Sequence, residues 1–414
     1  MTLPRLLTGL RADRPLSLHE HHQVHGAAPP ATAALIDAVE QSGLRGRGGA
    51  SFPAGRKLRS VAGRRGPRVV LVNGAEGEPM SAKDRVLMQI APHLVLDGAI
   101  AAADAVGARS IVVAVPLDDR RALSAMRGAV AERRRRGIRI VQVPVTHLAG
   151  EETALVNHLG GGRCVPTSGP RPFERGVRGR PTLVHNPETL AHVALIHRHG
   201  PQWFREIGPA DHPGSALITV SGAVRRGGVR EISCGLPLTA VLDDAELFEP
   251  LRAVLVGGFH GVWVPDDAVD RVTLDDAALR RFGGGLGAGV IVALGESACP
   301  VTELERVVGW LAAQSAGQCG PCSNGLPALA GLVSAMAGGQ APADAHQRLE
   351  RWSRDVAGRG ACSLPDGAVR FLRSGAEVFA PEIADHVAQG PCPACHRLPT
   401  LNVSREPAGG RRAA

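Results

Sequence analysis

Short apolar runs alternate with amphipathic segments through the first half of the chain. The amphipathic segments place apolar residues at helical spacing, as Leu123, Met126 and Val130 do. Strands that alternate with helices imply a parallel, doubly wound sheet. The predicted strands are residues 68–73, 108–115 and 138–145, and the predicted helices begin near residue 30 and cover 85–106 and 118–135.

The pattern changes near residue 213. Strand-like runs at 216–224 and 252–257 are joined by turn-rich segments, and no long helical pattern occurs between 213 and 280, which predicts a small β-rich domain. From residue 301 onward the chain is amphipathic at helical spacing, with short breaks. The predicted helices of this bundle are 302–313, 326–337, 343–356 and 367–379.

These patterns divide the 414 residues into five predicted parts. An irregular N-terminal arm is expected to hold most of a histidine-rich segment, 16–25, as an exposed tail. The parts are the arm at 1–24, an α/β domain at 25–212, a β-rich domain at 213–290, a helical bundle at 291–379 and a C-terminal tail at 380–414.

Composition narrows the class of protein. Hydrophobic residues make up 44% of the chain and charged residues 21%, which excludes wholesale disorder. Asp97 and Asp104 interrupt the most apolar stretch, so no membrane insertion is predicted. The first residues lack the apolar core of a signal peptide, and we expect a cytoplasmic protein. In that reducing compartment the eight cysteines are expected to be free, metal-bound or catalytic.

The net charge of +8 is carried almost wholly by arginine, since Lys57 and Lys83 are the only lysines. A lysine kept in such a chain can mark a position that needs a compact ammonium. Aromatic residues are only 3% and the arginine run at 133–136 is typical of a solvated face, so nucleic-acid binding is not predicted. The charge favours an acidic protein partner.

Residues 43–57 form a glycine-rich loop that also carries Arg45, Arg47 and Lys57. Four glycines within 43–49 allow close backbone approach, and amide donors beside three cations predict an anion site, most simply for a phosphate. The loop is not a P-loop, because no Ser or Thr follows the lysine and no strand precedes it. A flexible glycine-rich connection is the alternative.

Carboxylates follow the first predicted strand and open a later helix. Glu76 and Glu78 come at the carboxyl end of that strand, where open α/β sheets bind ligands. Glu151 and Glu152 begin a helix, where an ordinary N-terminal turn would also explain them. A proline-rich loop at 166–190 is long enough to be functional.

Cysteines lie in two breaks of the predicted bundle. Cys319 and Cys322 have C-x2-C spacing, which suits a zinc half-site, a redox dithiol or chance, and Cys362 lies in a later break. The tail adds a second C-x2-C pair, followed by His396, whose spacing also matches haem attachment or half of a structural zinc site. The cysteines that look isolated and buried are Cys164, Cys234 and Cys299, and the tail pair is Cys392 and Cys395.

Taken in order, these segments resemble the family of flavin- and NADH-binding subunits (51 kDa-type, or F, subunits) of respiratory complex I and of NAD-linked hydrogenases and formate dehydrogenases. The resemblance covers roughly residues 30–376. The matching segments are the glycine loop at 43–57, Asn-Gly-Ala-Glu-Gly-Glu-Pro at 73–79, Gly-Glu-Glu-Thr-Ala-Leu at 150–155, Asn-Pro-Glu-Thr-Leu at 186–190, Glu-Ser-Ala-Cys-Pro at 296–300 and the cysteine breaks.

The resemblance implies a Rossmann-like FMN and NADH domain, a ubiquitin-like (SLBB-type) β domain and an iron–sulfur-binding helical bundle. NADH would lie against the flavin, and Glu152 near the adenosine ribose would disfavour a 2′-phosphate, so NADH is expected over NADPH. The implied FMN contacts are Gly46, Arg47, Gly48, Gly49, Lys57, Asn73, Glu76, Gly150, Asn186 and Thr189. The implied nucleotide contacts are Phe52, Glu78, Glu152 and Phe173, with Glu151 also counted in the cofactor site.

The family chemistry needs no acid–base residue from the protein. Nicotinamide passes a hydride to flavin N5, and single electrons then leave through an iron–sulfur cluster. Glu78 and Glu152 would orient the nucleotide. The expected acceptor is a ferredoxin-like protein or a thioredoxin-fold [2Fe–2S] partner.

The sequence departs from the family at the cluster. The family carries four thiolates, but the first thiol position here is Ala316, which leaves Cys319, Cys322 and Cys362. A [4Fe–4S] cluster on three thiolates, a [3Fe–4S] cluster or no cluster would fit, and Cys392 or Cys395 could supply a fourth ligand. The alternative function is a non-catalytic scaffold with a degenerate site or structural zinc. The other departures are Ser60, Ala75, His147, Pro170 and His185.

Overall fold

The structure is a computed structural model, and it describes residues 3–10, 14–133 and 135–403. Four parallel strands form the sheet of the first half, in the order β3-β2-β1-β4. Residues 69–72 are fully buried, as in a parallel sheet covered by helices on both faces. The strands are β1 (Val69–Asn73), β2 (Ser110–Pro116), β3 (Ile138–Val143) and β4 (Thr182–His185), which confirms the predicted parallel sheet.

Nine helices belong to this half in the described part of the chain. Two of them, α5 (Pro92–Val106) and α9 (Pro187–Arg205), pack with their backbones in contact, because Gly98 has no side chain and a Cβ there would lie 1.8 Å from the Leu190 oxygen. The helices are α1 (Leu18–His25), α2 (Ala34–Ser42), α3 (Ala54–Ala62), α4 (Lys83–Ile90), α5 (Pro92–Val106), α6 (Arg120–Arg133), α7 (Glu152–Leu159), α8 (Pro172–Arg175) and α9 (Pro187–Arg205).

The prediction of a single helix over 85–106 was wrong, because this segment forms two helices, α4 and α5. The chain turns by 97° between α4 and α5. Pro92 occupies the first turn of α5, where its missing amide costs nothing, but the same ring cannot continue α4. Among the described residues, no single helix is long and apolar enough to cross a bilayer, and only this bent pair passes on length and composition.

The histidine-rich segment was predicted to be an exposed tail, and this was wrong. Ser17 and Glu20 form a capping box that starts α1. His21 is buried and its Nε2 lies 2.7 Å from Asp97 of α5. The segment therefore packs against the first domain, where the Asp97 carboxylate also pairs with Arg133 and Arg198.

A second sheet of five strands follows, in the order β6-β5-β9-β7-β8. The strands that come first and last along the chain, β5 and β9, are parallel neighbours in the sheet. The edge strands β6 and β8 pair antiparallel with β5 and β7. This arrangement agrees with the predicted ubiquitin-like domain. The boundaries of that domain stay a prediction. The elements are β5 (Ser215–Gly222), β6 (Gly228–Ser233), α10 (Leu238–Ala245), β7 (Leu251–Val256), β8 (Val262–Pro265), α11 (Asp276–Arg280) and β9 (Val290–Gly295).

The C-terminal part is a helical bundle, as predicted, but it has a fifth helix in the segment predicted to be a tail. Trp263 of β8 joins the second sheet to the bundle, with its ring centroid 5.8 Å from that of Phe371 and 5.0 Å from that of Phe379. The helices are α12 (Pro300–Ala313), α13 (Leu326–Ala337), α14 (Ala345–Val356), α15 (Leu364–Val378) and α16 (Ala380–Gln389).

Candidate functional site

The candidate cofactor site lies at the carboxyl edge of the parallel sheet, between β1 and β4. These strands are neighbours, with β2 and β3 on the far side of β1, so the chain order reverses here. Open α/β sheets bind ligands at such a reversal. Asn73 ends β1 and Asn186 follows β4. Gly48 of the glycine loop lies against Asn186, since a Cβ at Gly48 would be 3.7 Å from that side chain.

The glycine loop is a turn closed by backbone pairing. The amide of Gly46 donates to the Phe52 oxygen at 2.8 Å, and residues 45 and 53 form an isolated bridge. Gly49 has φ +103°, a conformation that side chains rarely adopt. Because Gly48 and Gly49 lie beyond this closure, the loop presents backbone to an incoming ligand.

Arg47 does not present its charge to that ligand. Its guanidinium is buried and lies 3.0 Å from His212 Nε2, and it donates to the Ser215 oxygen at 2.9 Å. Its amide donates to Thr189 Oγ1 at 2.8 Å. The guanidinium therefore joins the glycine loop to the second sheet. The sequence predicted that this side chain would face an anion, but it contacts protein groups instead.

Lys83, the second of the two lysines, is also structural. Its Nζ lies 2.8 Å from Glu188 and 3.0 Å from Asp84, and all three side chains are buried. Burial alone would lower the pKa of Lys83, but the two carboxylates raise it above its ordinary value. Sequence reasoning missed Asp84 and Glu188, and the only signal was the rarity of lysine.

Asp84 extends this network to the predicted contacts at α9. Both of its carboxylate oxygens accept from Asn186 Nδ2 at 2.9 Å, and Thr189 Oγ1 donates to Asn186. Burial raises the pKa of Asp84 to about 6, although Lys83 acts in the opposite direction. The network fixes the start of α9 beneath the glycine loop.

Lys57 and Glu152 form an ion pair at the crevice. The Nζ–Oε2 distance is 2.6 Å, and the two side chains are 29% and 30% exposed, so solvent and ligands can reach both. Glu151 differs, because its carboxylate accepts from the Ala154 amide at 2.7 Å and caps α7. Of the two neighbouring glutamates, Glu152 is the one beside the glycine loop's lysine.

Glu76 and Glu78 are held by protein groups. Glu76 accepts from the amides of Asp84 and Arg85, both at 3.2 Å, and so caps α4. Glu78 is buried and accepts from the Phe259 amide at 3.0 Å, which joins the first domain to the second sheet. The structure therefore gives both predicted contacts a positioning role.

Two loops cross closely beside Asn73. Its Nδ2 donates to the Gly150 oxygen at 2.9 Å. A Cβ at Gly77 would lie 2.4 Å from the His147 oxygen, so the crossing requires glycine. This contact brings the segment before α7, and hence Glu152, to the end of β1.

The two predicted aromatic contacts differ in environment. Phe52 is 44% exposed at the end of the glycine loop, with the Arg56 guanidinium 5.6 Å from its ring centroid. Phe173 is half-buried and has Arg64 at 5.0 Å from its centroid. Phe52 thus offers an open ring face beside the loop.

Two partly buried, neutral histidines, His147 and His260, lie beside the loop that follows β1. His147 Nδ1 lies 3.1 Å from the Gly77 oxygen, and its Nε2 lies 3.2 Å from His260 Nε2, a partner that sequence reasoning missed. Burial lowers the pKa of both rings, that of His260 to about 3. His147 then donates from Nδ1 and accepts at Nε2 from His260.

His185 is the clearest unsatisfied group at the sheet edge. It is buried at the end of β4, and its Nε2 has no hydrogen-bond partner. Burial first, and then the Lys57 charge, lowers its pKa to about 3. The ring also hydrogen-bonds to the Ala54 backbone, so Nε2 is the nitrogen of this side chain that lacks a partner.

Three predicted cluster ligands converge in the bundle. Cys319 precedes the π-helical turn Pro321–Gly325, Cys322 lies within that turn, and Cys362 precedes α15. Burial and then the neighbouring Cys319 raise the pKa of Cys322 to about 12, with a further contribution from Cys362. The amide of Ala316 donates to the Cys322 thiol, so the position without a thiol lies at the same place.

The tail thiols lie elsewhere. Cys392 and Cys395 gather with Cys299 and His386, and their four ligand atoms lie within 4.8 Å of one another. Cys299 was predicted to be isolated, and this was wrong, because the segment after β9 and the tail are far apart in sequence and meet only in the fold. A fourth cluster ligand from the tail stays a prediction that this placement does not favour.

Comparison with solved structures supports the same class of fold. A chain of the NAD+-reducing [NiFe]-hydrogenase in its H2-reduced state superposes with a TM-score of 0.80 at 29% identity, over 87% of this chain and 63% of that one. The air-oxidised form gives a TM-score of 0.81 at 29% identity, over 92% of this chain and 67% of that one. The likeness confirms the predicted α/β class with a parallel sheet and cysteines in the C-terminal region.

Sequence comparison identifies the family. The Nuo51 FMN-binding domain matches residues 39–195, and the NADH-ubiquinone oxidoreductase-F iron–sulfur binding region matches 302–386. The NADH-quinone oxidoreductase F 2 subunit of Rhizobium meliloti is 32% identical over 87% of this chain and 90% of its own. The corresponding F subunit of Aquifex aeolicus is 30% identical over 84% of each chain.

The chain belongs to the family of NADH-quinone oxidoreductase F subunits. This confirms the resemblance found in the sequence and the assignment to oxidoreductases. It also confirms FMN, NADH and an iron–sulfur cluster as the cofactors. The individual contact residues stay predictions.

Proposed function

We propose that this chain oxidises NADH through FMN and delivers single electrons through an iron–sulfur cluster to a partner subunit. The observation that carries the proposal is the convergence of the glycine loop and the Lys57–Glu152 pair on the edge between β1 and β4. That edge offers exposed backbone, one ammonium and one unsatisfied histidine nitrogen in a fold that binds nucleotides there.

The residues fit FMN. The exposed backbone of Gly48 and Gly49 and the Lys57 ammonium suit an anion, and His185 Nε2 lacks a polar partner. Asn73 and Gly150 close one side of the crevice through their hydrogen bond. The residues that we propose hold or support FMN are Gly46, Arg47, Gly48, Gly49, Lys57, Asn73, Glu76, Gly150, Asn186 and Thr189. Among these, Arg47 and Glu76 would support the site by holding neighbouring protein groups in place.

FMN held at this site would supply two-electron acceptance of a hydride from NADH and one-electron delivery to the iron–sulfur cluster. The chain's own contribution is to bind and orient. The open face of Phe52 can stack on a base, and Glu152 can accept from a ribose hydroxyl. Phe173 packs against Arg64, which follows α3, while Glu78 and Glu151 fix the backbone around the site.

The iron–sulfur cluster would be held by Cys319, Cys322 and Cys362. Their mutual effects on pKa support a single location for the three thiols, and thiolates are the ligands that such clusters take. Ala316 occupies the fourth position at that location and offers no ligand. We therefore propose a cluster with three thiolates and one corner without a cysteine.

The partner would be an acidic ferredoxin-like or thioredoxin-fold [2Fe–2S] protein. The relatives' names describe subunits, and the net charge of +8 favours an acidic surface on the partner. A cytoplasmic location forms part of the same proposal.

Reconstitution tests the proposal. The purified chain is supplied with FMN, iron and sulfide, and flavin absorbance and NADH-dependent dye reduction are measured. We expect bound flavin and reduction by NADH, and Lys57→Gln should weaken FMN binding, whereas Arg348→Gln on α14 should not. A chain that binds no flavin and reduces no dye would contradict the proposal and support the scaffold alternative, which Ala316 favours.

A further inference from the structure

Four ligand atoms from three separate parts of the chain meet at one corner of the bundle. Cys299 is the N-cap of α12, His386 lies in α16, and Cys392 and Cys395 form a turn in the tail. We propose that these residues form a mononuclear zinc site that fastens the C-terminal segment to the bundle. The site is distinct from the cluster position at Cys319.

The distances match a single tetrahedral ion. Zinc–sulfur bonds of about 2.3 Å in a tetrahedron place two sulfurs about 3.8 Å apart, and a sulfur and a nitrogen about 3.6 Å apart. Cys395 Sγ lies 3.6 Å from Cys299 Sγ and 3.7 Å from Cys392 Sγ. His386 Nε2 lies 3.4 Å from Cys299 Sγ and 3.8 Å from Cys395 Sγ.

The distances between the four ligand atoms also favour zinc over a disulfide or an iron–sulfur cluster. A disulfide requires sulfurs about 2.05 Å apart, much closer than any pair here. An iron–sulfur cluster places several atoms between its ligands and so spreads the thiolates farther than a single ion does. Three cysteines and one histidine are a common ligand set for structural zinc.

The histidine is oriented for coordination. His386 Nδ1 lies 3.1 Å from the Ala337 oxygen and can donate to it, which leaves Nε2 with a free lone pair toward the three sulfurs. This is the arrangement usual for metal-bound histidine. Although His396 completes the tail's C-x2-C-H spacing, it is exposed, and the fold brings in His386 instead.

The site is mostly buried, as structural metal sites are, and its partly exposed side lets an ion enter. Cys299 and His386 are buried at 2% exposure each, while the tail cysteines are partly exposed. Beyond the site, the amides of Thr400 and Leu401 donate to Glu303 at 2.8 and 2.9 Å. A zinc ion would therefore hold residues 397–403 where these bonds can form.

Metal analysis of the full-length chain tests the proposal. We expect about one zinc per chain after purification with zinc present. Cys395→Ser and His386→Ala should lose that zinc, whereas Cys164→Ser and His346→Ala should keep it. Replacing zinc by cobalt should give thiolate-to-cobalt absorption in the wild type, and Cys395→Ser should lose it.

Two further measurements distinguish loss of the zinc site from misfolding of the variant. Cys395→Ser should keep its FMN-region fold and its bundle iron, while amide exchange over residues 398–403 should rise at least tenfold. His386→Cys, which restores a four-ligand set, should regain zinc. Retention of zinc by both Cys395→Ser and His386→Ala would overturn the proposal, as would absence of bound zinc in the wild type. Because zinc content, cobalt absorption and amide exchange need neither flavin activity nor the bundle iron, failure of the proposed function would leave these three readouts intact.

Discussion

The two lysines of this chain have opposite environments. Lys57 is partly exposed and pairs with one carboxylate, whereas Lys83 is buried between two. A buried ammonium is stable only when it is paired, so Lys83 belongs to the scaffold beneath the loop. Lys57 keeps donor capacity that an anionic ligand can use.

Glu152 should determine the choice of nucleotide. Glu152→Gln removes a negative charge near the expected ribose and frees the Lys57 ammonium, which would attract a 2′-phosphate. We expect the ratio of kcat/KM for NADH to that for NADPH to fall about tenfold, which corresponds to about 1.4 kcal/mol. Steady-state kinetics with both nucleotides measures it, and Glu350→Gln on α14 is the control. An unchanged ratio would remove Glu152 from the ribose site.

Ala316 should make one iron of the cluster labile. Mild oxidation is expected to release about one iron per chain from the wild type, because that corner lacks a thiolate. Ala316→Cys should retain its iron under the same treatment, whereas Ala316→Ser should behave as the wild type does. Iron and sulfide counts with EPR before and after oxidation measure this. Equal iron loss in the cysteine and serine variants would be the contrary result.

At the scale of elements, helix α5 is central to the packing of the first domain. It is buried along nearly its whole length and meets α9 backbone to backbone, and α9 in turn bears Asn186 and Thr189 at its start. A displacement of this helix pair would therefore reach the cofactor edge directly.

Gly98→Ala should destabilise the protein. The added Cβ would lie 1.8 Å from the Leu190 oxygen, and such overpacking costs about 1–3 kcal/mol or more. Gly128→Ala in α6 is the matched control, since nothing lies within 4 Å and alanine favours a helix by about 0.5–1 kcal/mol. Urea unfolding measures both free energies. A stable Gly98→Ala variant would mean that the two helices can separate at no cost.

At the scale of the whole molecule, neutral histidines that are buried or partly buried tie stability to pH. Burial lowers the pKa of His93 to about 4 and those of His185 and His260 to about 3. In the unfolded chain their pKa is about 6.5, so below that pH the unfolded state binds protons that the folded state excludes. These groups therefore stabilise the fold fully only above about pH 6.5.

Acidification should destabilise the protein steeply. Between about pH 6.5 and 4, each such histidine lowers the free energy of unfolding by up to about 1.4 kcal/mol per pH unit. Urea midpoints at about pH 7.5 and 5.5 measure the effect, and His346→Gln, which alters an exposed ring, should leave the slope unchanged. Equal midpoints at the two pH values would show that these rings are already charged in the fold.

The sequence alone determined the class of protein. The alternation of strands and helices, the glycine loop and the ordered motifs are local features, so they can be read without knowing the fold, and they predicted the parallel sheet, the family and the cofactors. The helix break at residue 91 and the start of α1 are also local features, set by Pro92 and by the Ser17 cap.

Only the tertiary structure decided what the side chains do. The turning of Arg47 toward the second sheet and the pairing of Lys83 with Glu188 depend on residues more than 100 positions apart. The same holds for Cys299, whose partners lie in α16 and the tail. Such contacts follow from how the layers pack, and periodicity along the chain carries no record of that packing.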